Sequence, residues 1–144
     1  MSLICKHVLL TLLCYIPFFT IIAALAYSLD KTDKTESYYQ EKIAKKVNGE
    51  REIIFSDKTR ADIYTEDEVI EVEFAHKWYE AIGQSAHYSV MSGKKPVIWL
   101  IMTSVSDQKY VDRCKNLCDD FLAVQLESHK WVPIKVEVYD DSDE

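Results

Sequence analysis

Pro96 is followed by Val97-Ile98-Trp99-Leu100-Ile101-Met102, six apolar residues with no polar position among them. A strand with one wet face alternates, whereas an unbroken run of this length suits a central strand covered on both faces. The surrounding sequence has the elements to provide that cover. Glu36 to Val47 reads as an amphipathic helix, with Tyr39, Ile43 and Val47 at four-residue spacing, Lys42, Lys45 and Lys46 on the opposite side, and a stop at Asn48-Gly49. Those lysines suit a solvated helix face or contact with a phosphate backbone. Arg51 to Ser56 reads as an opening strand. Thr59 to Thr65 and Val69 to Phe74 read as two more, turned at Glu66-Asp67-Glu68 into a hairpin. A helix follows, marked by Trp78, Ile82, Ala86 and Val90 and closed by Ser92-Gly93 before Pro96. Beyond the apolar run, Ser106 to Asp119 reads as a helix, and Phe121 to Leu126 with Ile134 to Tyr139 as final strands. The expected class is α/β, a single small domain with a mixed sheet flanked by helices.

With 144 residues, 48% of them apolar and 28% charged, the chain has room for one such domain and an appendage. The appendage is N-terminal. Val8 to Ala26 runs apolar with only Thr11, Tyr15, Pro17 and Thr20 interrupting, close to the roughly 20 residues that span a bilayer. It reads as an N-terminal hydrophobic helix, either a signal peptide cleaved after Ala24-Leu25-Ala26 or a retained transmembrane anchor. Lys6 on the cytoplasmic side then sends the domain to the non-cytoplasmic side, exported or membrane-anchored. The expected organisation is residues 1–27 as targeting segment, 28–35 as linker, 36–140 as the folded domain and 141–144 as an acidic tail.

The chemistry concentrates in the hairpin and the helix after it. Alternation along Val69 to Phe74 sets Ile70, Val72 and Phe74 on one face and Glu71 and Glu73 on the other, with Asp62 on the neighbouring strand able to join the two carboxylates. Alternating glutamates also suit a plain solvent face. On the helix, Lys77, Gln84 and Tyr88 are seven and four residues apart and so share a narrow stripe. Clustered carboxylates are hard oxygen ligands suited to Mg²⁺ or Mn²⁺, and an ammonium, an amide and a phenol beside them are groups that grip phosphate.

This order of residues resembles the PD-(D/E)XK nuclease superfamily, in which an Asp on one strand and a Glu-x-Lys on the next precede a helix. Gln84-x-x-x-Tyr88 is similar to the Q-x-x-x-Y element of its helicase-nuclease branch. The resemblance spans about residues 36 to 140 and implies a restriction-endonuclease-like core. Asp62 then matches the first acid and Glu71 the second. The third position departs from the pattern, with Glu73 where Lys is expected, and Lys77 takes the lysine's place, as in members whose lysine has moved to the adjacent helix. An acidic residue on the first helix, often near the metal in the superfamily, would correspond to Glu41.

What the resemblance implies is a metal-dependent nuclease at the membrane or outside the cytoplasm. Asp62, Glu71 and Glu73 would hold Mg²⁺ or Mn²⁺, Lys77 would serve the transition state, and Gln84 and Tyr88 would bind the nucleic acid, DNA foremost. The alternative is a nuclease-fold binding module that has lost catalysis with its strand lysine. The formal charge of −7 is unusual for a nucleic-acid binder, so binding would be local to the working face. His76 and His87 lack a third soft ligand at zinc spacing and are expected to be partly exposed. Trp78 and Trp99 are expected in the core. Cys114 and Cys118, four apart on a helix, are expected as unlinked buried thiols, because a disulfide strains a regular turn.

Overall fold

The computed structural model describes residues 34–125 and 131–142. The N-terminal apolar segment and the linker up to residue 33 therefore lie outside the described residues, as do Leu126 and the end of the acidic tail. Among the described residues no helix is long and apolar enough to cross a membrane.

Helix α1 (Glu36–Val47) leads into strands β1 (Glu50–Ile54), β2 (Arg60–Tyr64) and β3 (Glu68–Phe74). A single 3-10 turn, Ala75–Lys77, then opens helix α2 (Trp78–Ser92), followed by β4 (Lys95–Met102), α3 (Gln108–Phe121), β5 (Ala123–Gln125), β6 (Trp131–Pro133) and β7 (Lys135–Asp140). The main sheet has the order β1-β2-β3-β4-β7. Its first three strands form an antiparallel meander, while β3 with β4 and β4 with β7 are parallel. The sheet is mixed and the class is α/β, as the order of elements in the sequence leads one to expect.

β4 is buried from Pro96 to Met102, and its two faces serve two cores. Val97, Trp99 and Ile101 join Ile63, Ile70 and Val72 beneath Tyr39, Ile43 and Ala44 of α1. On the other side Ile98, Leu100 and Met102 pack against Ala81 of α2 and Val111, Cys114 and Cys118 of α3. Both cysteines are free and buried, in keeping with the helical spacing. Lys42, Lys45 and Lys46 are exposed, and Lys46 lies over the Trp99 ring, 4.7 Å from its centroid. Asn48 ends α1 in the left-handed region (φ 53°). Gly49 follows because a Cβ there would stand 2.5 Å from Ile63 Cγ2, closer than packed carbons come.

Two expectations need correction. The large apolar stripe of α2 packs on the core only through the half-buried Trp78, Ile82 and Ala86. Val90 is 57% exposed, and the residues pressed on the sheet are Ala81, Ser85, Tyr88 and Ser89. Small side chains let the helix come close, and the serines stay satisfied at close quarters, Ser85 Oγ donating to Val97 O (3.5 Å) and Ser89 Oγ to Lys94 O (2.6 Å). The final strands also differ. Phe121 still belongs to α3, and β5 pairs with β6 in a separate two-stranded ribbon, so only Lys135–Asp140 extends the main sheet.

Candidate functional site

The β2–β3 pairing is short. Ile63 faces Ile70 and Tyr64 faces Val69, and the ladder stops there, so the two strands part at Asp62 and Glu71. The backbone N–H of Val72, which continued pairing would have used, donates instead to Asp62 Oδ2 at 2.8 Å. β3 itself stays straight because its other edge is paired with β4 as far as Phe74. One rigid strand thus carries Glu71 and Glu73 into a gap that Asp62 enters from the side.

All three carboxylates are buried, at 8, 4 and 6% exposure for Asp62, Glu71 and Glu73, which disposes of the solvent-face reading. A fourth joins them. Glu36, the first residue of α1, hydrogen-bonds Glu73 and feels the charges of both Glu73 and Asp62. Burial, then those charges, pushes its carboxyl up to about 7. Burial likewise lifts Asp62 to about 6, against the pull of the Val72 N–H and Glu71. Glu71 is lifted to about 10 by burial and by the charges of Asp62, Glu36 and Glu73. Its Oε2 is buried, and among the described residues no N–H or O–H reaches it.

The acidic residue of the first helix is therefore Glu36 rather than Glu41, whose side chain is exposed and paired with Lys45 at 2.6 Å. Helical phase decides this, since Glu41 falls between Gln40 and Lys42 on the outward side. The signal for Glu36 was present in the sequence as an acid at the helix start, four residues before a buried Gln40. Gln40 donates to Glu36 Oε1 (3.0 Å) and accepts from Arg51 (3.1 Å), which fixes Glu36 at the mouth of the gap.

Lys77 closes the cluster. The 3-10 turn after β3 folds the chain back, and Lys77 Nζ lies 3.2 and 3.4 Å from the two oxygens of Glu73. That hydrogen bond and charge raise the ammonium's pKa, keeping it a cation. On the next turns of α2, Tyr88 is buried and feels the charges of Glu71 and Asp62, while Gln84, exposed, hydrogen-bonds its phenol. All six side chains marked in the sequence, Asp62, Glu71, Glu73, Lys77, Gln84 and Tyr88, thus come to one place, and Glu36 is added. The histidines do not. His76 is exposed and stacks on Phe74, and His87 pairs with Asp57 at 2.7 Å on the β1–β2 turn.

Among the described residues no three His, Cys, Asp or Glu side chains stand as a ready cation cage. The carboxyls instead contact one another, Glu71 hydrogen-bonded to Asp62 and Glu36 to Glu73. Carboxylate oxygens are the donor type that a hard divalent ion takes, and Glu71 Oε2 is one such oxygen without a partner among the described residues.

No family model and no solved structure matches the chain. Over 107 residues, 73% of its length, it is 33% identical to the putative KilA-N domain-containing protein L33 of Acanthamoeba polyphaga mimivirus. The chain spans 37% of the length of that relative.

Proposed function

We propose that this is a metal-dependent nuclease with a restriction-endonuclease-like core of the PD-(D/E)XK kind, hydrolysing nucleic-acid phosphodiester bonds with Mg²⁺ or Mn²⁺. The observation that carries the reading is the convergence on one gap of four carboxyls from α1, β2 and β3, the ammonium of Lys77, and the Gln84–Tyr88 pair of α2. Polar side chains from so many elements do not meet in a buried place without a task that repays their desolvation. An Asp strand, a Glu strand beside it and a helix after them also stand in the order that the resemblance implies.

A divalent ion bound there would polarise the phosphate and supply a hydroxide-like nucleophile near neutral pH. Asp62 and Glu71 would hold it, with Glu73 and Glu36 completing or orienting the set. Lys77 stands at the exposed end of Glu73, placed to meet the negative charge that grows on the phosphoryl oxygens. Gln84 offers its amide to the sugar-phosphate strand, and the Tyr88 phenol orients it. The mimivirus relative is named for a KilA-N domain, and the matched segment is a part of that protein. The N-terminal apolar segment supports placement at a membrane or beyond it.

A second reading, a binding module without catalysis, is favoured by one feature. Glu73 occupies the strand lysine's position and holds Lys77 in an ion pair. Cleavage assays of the full-length chain with Mg²⁺, Mn²⁺ and chelator separate the two. Metal-dependent cleavage abolished by Asp62→Asn supports the nuclease, and binding without cleavage under every condition supports the module.

A further inference from the structure

Arg60 lies two residues before Asp62 on β2 and has no part in the cluster described above. Its side chain is 55% exposed, and NH1 is 3.3 Å from Glu52 Oε1 on β1. Glu52 is itself unusual. It falls opposite Asp62, between the paired Arg51↔Ile63 and Ile53↔Ala61, and its backbone is left-handed at φ 58°, a conformation that L side chains rarely adopt within a strand. The sheet is thus disturbed on both sides of Asp62, by the parted β2–β3 ladder and by this kink. The kink sits where Glu52 draws Arg60 sideways, and the guanidinium remains close enough for its charge to act on both Asp62 and the Tyr88 phenol.

We propose that Arg60 is a phosphate-binding residue for the nucleic-acid strand, parked on Glu52 two residues from Asp62. This rests on the nucleic-acid reading of the site and adds to it a second contact point. A guanidinium beside Asp62 would ordinarily fall onto that carboxylate and compete with a cation for it. Glu52 provides another resting place. The parking pair is exposed on both sides, 55 and 50%, and an exposed ion pair of this kind contributes little, so an arriving phosphate displaces it at small cost. The planar fork of arginine then binds two phosphate oxygens at once. With Lys77 beside Glu73 and the Arg60 charge reaching Asp62, a strand bound over the cluster meets two cations.

The test is binding of a fluorescent phosphorothioate single-stranded DNA, which resists hydrolysis, to the full-length chain in Mg²⁺ over a series of salt concentrations. Arg60→Ala should weaken binding about tenfold and lower the steepness of log K against log salt by about 0.7, the contribution of one phosphate contact on a single strand. Mg²⁺ affinity should stay the same or rise. Arg60→Lys should keep the salt slope and recover only part of the affinity, because the charge is retained and the fork is lost. Glu52→Gln should tighten DNA binding severalfold. Wild-type binding with an unchanged salt slope in Arg60→Ala overturns the role of Arg60 alone, and a Glu52→Gln chain that binds more weakly overturns the parking role of Glu52. Absence of any DNA binding by the wild type overturns the nucleic-acid reading itself.

Discussion

Replacing Glu71 by Gln should stabilise the metal-free protein at alkaline pH while removing its capacity for metal. In the fold the carboxyl is held up to about 10, whereas its ordinary value is 4.5. A group whose folded pKa is raised keeps its proton in the fold after the unfolded chain has lost it. Its contribution to stability is therefore greatest below about pH 4.5 and falls as pH rises towards 10. At pH 8 the separation from 4.5 is 3.5 pH units, and at about 1.4 kcal/mol per unit this sets an upper limit of about 5 kcal/mol. Water entering the gap and charge relief among the neighbouring carboxyls reduce it, so roughly 2–3 kcal/mol is the expected gain for an isosteric Gln that needs no proton. In a domain of this size that is a rise in Tm of about 10 °C. At pH 5 the gain should be below about 1 kcal/mol by the same arithmetic. The assay is thermal unfolding followed by circular dichroism in chelator at both pH values, with calorimetric titration of Mn²⁺ alongside. Equal destabilisation at pH 5 and pH 8 would refute the reasoning, because it would mean that Glu71 carries no shifted proton in the fold.

Metal binding should release protons near neutral pH, and Mn²⁺ affinity should increase from pH 6 to pH 8, since Glu36 at about 7 and Glu71 at about 10 give up protons to admit the ion; calorimetry in buffers of different ionisation enthalpy measures this. Lys77→Ala should lower turnover by roughly 10²-fold with metal affinity intact or higher, and Glu73→Lys in that background should restore part of it, read by DNA nicking. Gly49→Ala should cost about 1–3 kcal/mol in chemical denaturation, because the new methyl meets Ile63 Cγ2 at 2.5 Å. Cys114 and Cys118 should both alkylate in denaturant without reductant, as unlinked thiols do.

The sheet was readable because its signals are local. An unbroken apolar run cannot be a half-wet strand, and β4 is buried on both faces as the run demands. The hairpin and the α1 stripe followed from alternation and from four-residue spacing in the same way. Tertiary matters were not readable. The buried face of α2 is built of Ala81, Ser85 and Ser89, residues whose value lies in how closely they let the helix approach, and a hydrophobicity pattern points instead to Val90. For the site, residue types and order sufficed to assemble Asp62, Glu71, Glu73, Lys77, Gln84 and Tyr88. Glu36 escaped because its place depends on where α1 begins over β3. Arg60 escaped because its importance comes from the left-handed backbone of Glu52 on another strand.

The position of Lys77 bears on whether a chain with Glu at the strand position can still bring a cation to the cluster. β3 ends at Phe74, and the 3-10 turn over Ala75–Lys77 returns the fourth residue after Glu73 to its side. Glu73 is pinned meanwhile, its Oε1 accepting from the Phe74 N–H at 2.8 Å, so the ammonium has a fixed anchor rather than a free partner. The Lys77 side chain is 40% exposed and that of Glu73 only 7%. The cation therefore stands on the solvent side of Glu73. An approaching phosphate would meet the ammonium before it met the buried carboxylates. The chain's overall charge of −7 does not oppose this, since screening limits distant charges to about a Debye length while the ammonium acts at contact.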